Sequence, residues 1–350
     1  MDIISLFKYA VHNKASDVHL IAGMLPVLRI DGVLTDYKEK KLNTDDIESI
    51  AKQLLDGVKL SELEKSGQTD IIYSISDIGR FRINVFKQRG TYGMAIRVIP
   101  FRIPTVDELG LPNIIKDLAH ITRGLVLITG PSGSGKSTTL ASIVNQINKE
   151  RRCHIITLED PIEYLHEHKR SIVTQREVGI DTDSFSNGLK SALRQDPDVI
   201  MVGEMRDLET MATVLTAAET GHLVLSTLHT IGAAKTIDRI IDVFPPYQQH
   251  QVRIQLSTVI QAIISQKLIP RIDRNGRIVA TEIMIATPAI RNLIREDKVY
   301  QIDTSIETGQ MQGMKTMDQC LLEFYNQEII SKETLLNQAI NLEYVKRIIS

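Results

Sequence analysis

Hydrophobic spacing divides the chain into two regions with different periods. Near the start, Ile3, Leu6, Phe7, Ala10 and Val11 recur at i, i+3, i+4, i+7 and i+8, the stripe of an amphipathic helix. Residues 16–20 and 26–30 read as strands, the second ending in an Asp31-Gly32 turn signal, and helical stretches follow at 44–55 and 59–65. Then the period becomes two. Phe81, Ile83 and Val85 are apolar between Arg80, Arg82 and Asn84; Met94, Ile96 and Val98 share one face, with Arg97 on the other. Two such strands meet one core with their apolar faces, which puts Arg82 and Arg97 together on the opposite face. The pattern predicts a small α+β domain over residues 1–99.

Pro100, Pro104 and Pro112 mark residues 100–112 as a linker. Beyond it, short continuous apolar runs at 125–129, 154–158, 199–202 and 223–226 alternate with helix-like segments. Such runs suit strands buried on both faces of a mostly parallel sheet. From about residue 248 the chain reads as mostly helical, broken by a hairpin near Asn275-Gly276. The expected fold is therefore α/β, with the second domain at 113–350 and a helical C-terminal part.

Composition narrows the class. A chain of 350 residues exceeds what one core usually serves, which agrees with two domains. Forty-three per cent hydrophobic and 24% charged residues are ordinary for a globular protein. Lys and Arg number 41 against 43 Asp and Glu, a net charge of −2 that argues against bulk binding of nucleic acid. Two cysteines, Cys153 and Cys320, make neither a disulfide framework nor a four-thiolate zinc site. No apolar run approaches the ~20 residues that cross a bilayer, and Asp2 and Lys8 spoil a signal-peptide reading. A cytoplasmic protein is expected.

Gly130-Pro131-Ser132-Gly133-Ser134-Gly135-Lys136-Ser137 fits the phosphate-loop pattern, set between an apolar strand and a helix at 137–147. Its glycines let backbone N–H groups turn toward phosphate oxygens, and the helix adds the positive end of its dipole. Gly130, Ser132, Gly133, Ser134, Gly135, Lys136, Ser137 and Thr138 are the nucleotide-binding candidates. Lys136 is placed to reach the β- and γ-phosphates, and Ser137 to ligate Mg²⁺. No Asn-Lys-x-Asp guanine signature occurs, so ATP is expected. Hydrolysis also needs an acid that positions water. Glu204 ends the apolar run 199–202 two residues on, Glu163 closes the acidic cluster Glu159-Asp160-Pro161-Ile162-Glu163, and His229 follows the run 223–226. Ligands in open α/β sheets lie at the carboxyl ends of strands, where all three fall; His222 precedes its strand and belongs farther away.

These segments, with Leu193-Arg194-Gln195-Asp196-Pro197-Asp198 and Gly203-Glu204-Met205-Arg206-Asp207, occur together and in order. They resemble the Walker A, Asp box, Walker B and His box of the secretion ATPase superfamily that drives type II secretion and type IV pili. The likeness reaches Ala15-Ser16-Asp17-Val18-His19-Leu20 near the start. Ala289-Ile290-Arg291-Asn292-Leu293-Ile294-Arg295-Glu296 resembles the C-terminal motif of the retraction-type members. Assembly-type members carry a tetracysteine zinc insertion and an added N-terminal domain, for which two cysteines and a loop starting at Gly130 leave no room. Ser132 stands where Thr is usual, at a variable position of the loop.

The resemblance implies a PAS-like N-terminal domain, a RecA-like P-loop ATPase domain and a ring of six copies. It implies that Arg82 and Arg97 close over the nucleotide, in cis or in trans, and that Glu163 and Glu204 divide water activation from Mg²⁺ organisation. The order of those two acids stays open, with Ser137 and Glu204 as metal candidates and His229 beside the γ-phosphate. It further implies an ATP-driven motor, hinged over residues 99–105, that retracts a pilus through an inner-membrane platform protein. A PilU-like accessory paralogue is a further partner. The protein would sit at the cytoplasmic face of the inner membrane, peripheral to it and without nucleic acid. Rival readings are a PilU-like or secretion ATPase, a RecA-like nucleic-acid translocase, and a nucleotide switch that does not hydrolyse. Within 287–296, Thr287 is a good N-cap and Pro288 suits the first helical position. Ile290, Leu293 and Ile294 form an apolar face, and Arg291 and Arg295 stack with like charge, as expected of a coupling surface toward a neighbouring subunit or the platform.

Overall fold

The computed structural model describes residues 2–30, 32–37, 40–75, 78–99, 102–273 and 276–349. Contacts divide it into two units, Met1–Arg102 and Ile103–Ser350. Pro100 of the expected linker and the turn residues Asp31 and Asn275 lie outside the described residues.

Unit 1 is a six-stranded antiparallel sheet with helices against one face. Its strands are β1 (Asp17–Ile21), β2 (Val27–Ile30), β3 (Val33–Asp36), β4 (Gln68–Ile75), β5 (Gly79–Gln88) and β6 (Thr91–Ile99), in the order β3-β2-β1-β6-β5-β4. The apolar stripe of helix Ile3–His12 meets the alternating face of β5 and β6. Leu6, Phe7, Phe81, Ile83, Val85 and Met94 are fully buried, and the Phe7 and Phe81 rings stack at 4.0 Å. Capping follows the sequence: Asp2 accepts the Ile4 N–H, and Asn43 and Asp46 form a capping box on helix Thr44–Leu54. The alternation also holds on the outer face, where Arg82 and Arg97 are direct cross-strand partners. Strands β3 and β4 went unforeseen. All four residues of β3 are exposed, so burial leaves no pattern on them.

Unit 2 is built on a seven-stranded sheet of β7 (Gly124–Thr129), β8 (His154–Glu159), β9 (Ile172–Glu177), β10 (Val199–Val202), β11 (Leu223–Leu228), β12 (Ile260–Pro270) and β13 (Arg277–Ile285). The order is β13-β12-β7-β11-β10-β8-β9, parallel except for β13. Alternate residues of β7 serve two cores. Leu125 and Leu127 pack with helices Leu208–Glu219 and Ala233–Asp242, while Val126 and Ile128 pack with helix Lys136–Glu150. A strand apolar from Leu125 to Ile128 is thus buried on both faces. The four apolar runs are β7, β8, β10 and β11. The region after 248 departs from expectation: the hairpin is large, its 11- and 9-residue strands extend the central sheet, and the later helices pack against it through Met317, Cys320 and Leu321. Residues 103–112 belong with unit 2, where Val106 and Leu111 enter the core. Among the described residues no helix is long and apolar enough to cross a membrane.

Candidate active site

The chain leaves β7 through a loop that only glycine can make. Gly130 has φ 143°, and a Cβ there would lie 2.2 Å from the Gln266 carbonyl oxygen of β12. Gln266 also props the loop from below, its Nε2 donating to the Ser134 carbonyl at 2.8 Å. Sequence reasoning missed this support. Gln266 is fully buried, but it stands between Ser265 and Lys267, so no local apolar pattern marks it in the sequence.

Helix Lys136–Glu150 then starts without a side-chain cap, so its first N–H groups are open to a ligand. The Lys136 ammonium is buried and donates to the carbonyls of Gly130 at 2.9 Å and Pro131 at 3.0 Å. Burial lowers its pKa, and the negative charges of Glu204 and Glu163 pull it back up. Its Nζ lies 3.5 Å from His229 Nδ1 at the end of β11. His229 Nε2 is in turn 3.2 Å from Glu204 Oε1, two residues past β10. That geometry fits the neutral tautomer with the proton on Nε2. The other Glu204 oxygen accepts from Arg206 Nε at 2.9 Å, and Arg206 Nη1 stands 3.6 Å from Asp160 Oδ2. A polar chain therefore runs from the phosphate loop across the ends of β11, β10 and β8. Arg206 has no foreseen role in it.

These residues surround a cleft of about 510 Å³ at the carboxyl ends of the parallel strands. Ser132, Gly133, Gly135, Lys136, Ser137, Thr138, Glu163, Glu204 and His229 all line it; Gly130 and Ser134 sit within the loop, outside the lining. His222 lies elsewhere, as expected, with Nδ1 3.0 Å from the Ala217 carbonyl oxygen. Beneath the Glu163 segment Glu159 is buried, and desolvation pushes its carboxyl up to about 7 against the Thr157 and Gln175 hydrogen bonds that favour the charge. Arg82 and Arg97 belong to unit 1. There Arg82 Nε is 3.8 Å from Asp70 Oδ1 and Arg97 Nε 3.4 Å from Asp17 Oδ1, with most of the Arg97 side chain exposed.

The cleft's donor set fits a nucleotide with a divalent cation. The helix start is uncapped, the Ser134 hydroxyl is buried with no hydrogen-bond partner among the described residues, and Lys136 is held by carbonyls. Ser137, Glu163 and Glu204 offer hard oxygen donors. Among the described residues no three His, Cys, Asp or Glu side chains could hold a metal by themselves. A cation here would therefore complete its shell with phosphate oxygens and water, the habit of Mg²⁺.

Helix Pro288–Arg295 departs in part from expectation. Thr287 caps it and Ile290 and Ile294 are buried, but Arg291 does not stack beside Arg295 on an open face. Its guanidinium turns to the end of helix Pro246–Val259 and donates to the carbonyls of Ser257 at 2.9 Å, Thr258 at 2.7 Å and Ala286 at 3.1 Å, and to Gln261 Oε1 at 3.0 Å. Two orphan helix-end carbonyls, with the Ala286 carbonyl and the Gln261 amide and not an acid, satisfy it.

A family model described as type II/IV secretion system protein matches residues 2–335. A Pseudomonas aeruginosa protein described as type IV pilus retractation ATPase PilT is 47% identical over 339 residues, covering 97% of this chain and 98% of the relative. A Neisseria gonorrhoeae twitching motility protein is 43% identical over 341 residues, covering 97% and 91%. The crystal structure of the pilus retraction motor PilT with bound ADP matches with a TM-score of 0.92 at 48% identity, covering 99% of each chain.

Proposed function

The chain belongs to the type II/IV secretion system protein family, and from that premise we propose that it is an ATP-hydrolysing motor that retracts type IV pili and so drives twitching motility. The observation that carries this reading is the convergence of Lys136, Glu163, Glu204 and His229 on one cleft at the ends of β7, β8, β10 and β11. Similarity along almost the whole chain to a retraction ATPase supports the direction of the motor.

ATP is the substrate. The open N–H groups of helix Lys136–Glu150 and the Lys136 ammonium meet the phosphates and stabilise charge on the bridging and γ oxygens. Ser137 and Glu204 would hold Mg²⁺, which supplies positive charge at the phosphates when bound. Glu204 is already oriented by His229 and Arg206, which suits a group that fixes a cation's water shell. Glu163 is then the group that orients the attacking water and takes its proton, giving ADP and phosphate. Arg82 and Arg97 would stabilise charge on the transferring phosphoryl group, from the same subunit or a neighbour in a six-membered ring. Hinge motion over residues 99–105, paced by binding and release, would pass work to an inner-membrane platform protein at the cytoplasmic face. A PilU-like paralogue is a candidate co-motor.

The test is Mg²⁺-dependent ATP hydrolysis by the purified chain beside Lys136→Ala. Hydrolysis by the parent and none above buffer by the variant are expected. Parent-level turnover in Lys136→Ala overturns the site.

A further inference from the structure

The segment that carries Glu163 runs from β8 to β9, and side chains of those two strands hold its backbone. Ile162 N–H donates to Glu177 Oε2 at 3.2 Å, and Glu163 N–H to Glu159 Oε2 at 3.3 Å. Gln175 takes the next two groups with the two halves of one amide. Its Nε2 donates to the Tyr164 carbonyl at 2.9 Å, and its Oε1 accepts the His166 N–H at 2.7 Å. The same Nε2 reaches Glu159 Oε1 at 3.1 Å, an oxygen that also accepts the Thr157 hydroxyl at 2.8 Å. Gln175 and Glu177 are two apart on β9 and so share a face. On its other side the segment is tied to the phosphate-loop helix, where the Tyr164 hydroxyl is 2.9 Å from Thr138 Oγ1, one residue past Ser137. Glu163 itself is exposed to the cleft.

We propose that Gln175 is a positioning residue for hydrolysis: its amide fixes the backbone on the C-terminal side of Glu163, through Tyr164 and His166, and ties that backbone to Glu159 directly beneath it. The inference rests on reading Glu163 as the group that orients water. A side-chain amide suits the task because it carries a donor and an acceptor side by side in one plane, matching a carbonyl and an N–H two residues along the chain. Among the described residues, Gln175 makes no hydrogen bond to the phosphate loop or to Lys136, and it reaches the loop's helix only through Tyr164. Its loss should therefore lower the rate of the chemical step and leave binding alone.

The experiment compares parent, Gln175→Met and Gln175→Glu in the full-length chain, with steady-state ATPase, ADP affinity and single-turnover hydrolysis. Gln175→Met keeps the volume and removes all three bonds. Gln175→Glu keeps the acceptor for His166 N–H, loses the donor to Tyr164, and places a second carboxyl beside Glu159. Misplacement of a reacting group by ~1 Å costs up to ~10²-fold, so kcat should fall by about 10- to 100-fold in both variants, with KM and ADP affinity within about threefold of the parent. In a Glu163→Gln background, Gln175→Met should lower the single-turnover rate by less than about twofold, because the group it positions is already gone. The inference is overturned by near-parent kcat in either variant that retains parent ADP affinity. Loss expressed in KM alone, or an equal further loss in the Glu163→Gln background, also overturns it. A parent chain that does not hydrolyse ATP overturns the hydrolase reading first, and this inference with it.

Discussion

Replacing Glu159 by Gln should change the pH dependence of stability in a direction set by burial. Glu159 is 7% exposed, and desolvation raises its carboxyl from 4.5 to about 7. Each tenfold step in proton affinity is worth about 1.4 kcal/mol, so the raised value corresponds to about 3 kcal/mol. Between those two values the folded chain holds a proton that the unfolded chain has released. The associated stability is fully present below 4.5 and is lost as pH rises through about 7. Glu159→Gln carries no charge at any pH and escapes that loss. Its Oε1 can still accept from Thr157 and Gln175, while its Nε2 would face the Glu163 N–H, a fixed cost that offsets the curve without tilting it. The unfolding free energy of the variant relative to the parent should rise by about 3 kcal/mol in total across that range. Urea unfolding of the nucleotide-free protein at constant salt, followed by far-UV circular dichroism because the chain has no Trp, measures it. A relative stability that is flat or falls with pH refutes the reasoning.

Arg291→Ala removes four charged hydrogen bonds, two of them to the end of helix Pro246–Val259, and should cost about 2–3 kcal/mol of unfolding free energy. Arg291→Lys should recover only part, since a point ammonium cannot serve four acceptors in one plane; full recovery in urea unfolding contradicts the capping account. The double variant Arg82→Ala with Arg97→Ala should lose roughly 10³-fold in ATPase rate and keep ADP affinity, and unchanged turnover removes the arginines from the reaction.

The phosphate loop, its strand and helix, and the four apolar runs were legible because each is a local signal: a fixed glycine spacing, or burial on both faces of one short segment. Strand β9 was not. Thr174, Gln175, Arg176 and Glu177 carry no apolar side chain, yet Glu177 is buried and Gln175 and Glu177 point into the loop that carries Glu163. Their partners are 9 to 16 residues away, on β8 or in the segment that follows it, so no periodicity records them. Gln266 was hidden in the same way, 132 residues from the loop it holds. Arg291 shows the converse failure. Its i, i+4 spacing from Arg295 was read as a charged face, but spacing fixes only the side of the helix, and the end of another helix decided where the guanidinium went. The pair Arg82 and Arg97 succeeded because strand alternation and antiparallel register are themselves local.

Direction of action is the central claim, and no active-site group encodes it. Surface pili and twitching, scored together in cells lacking this gene and in the same cells given the Lys136→Ala chain, test it most directly. Retraction predicts that pili accumulate, twitching stops, and the Lys136→Ala chain reverses neither. Cells that lose their pili, or that twitch normally with the Lys136→Ala chain, contradict it.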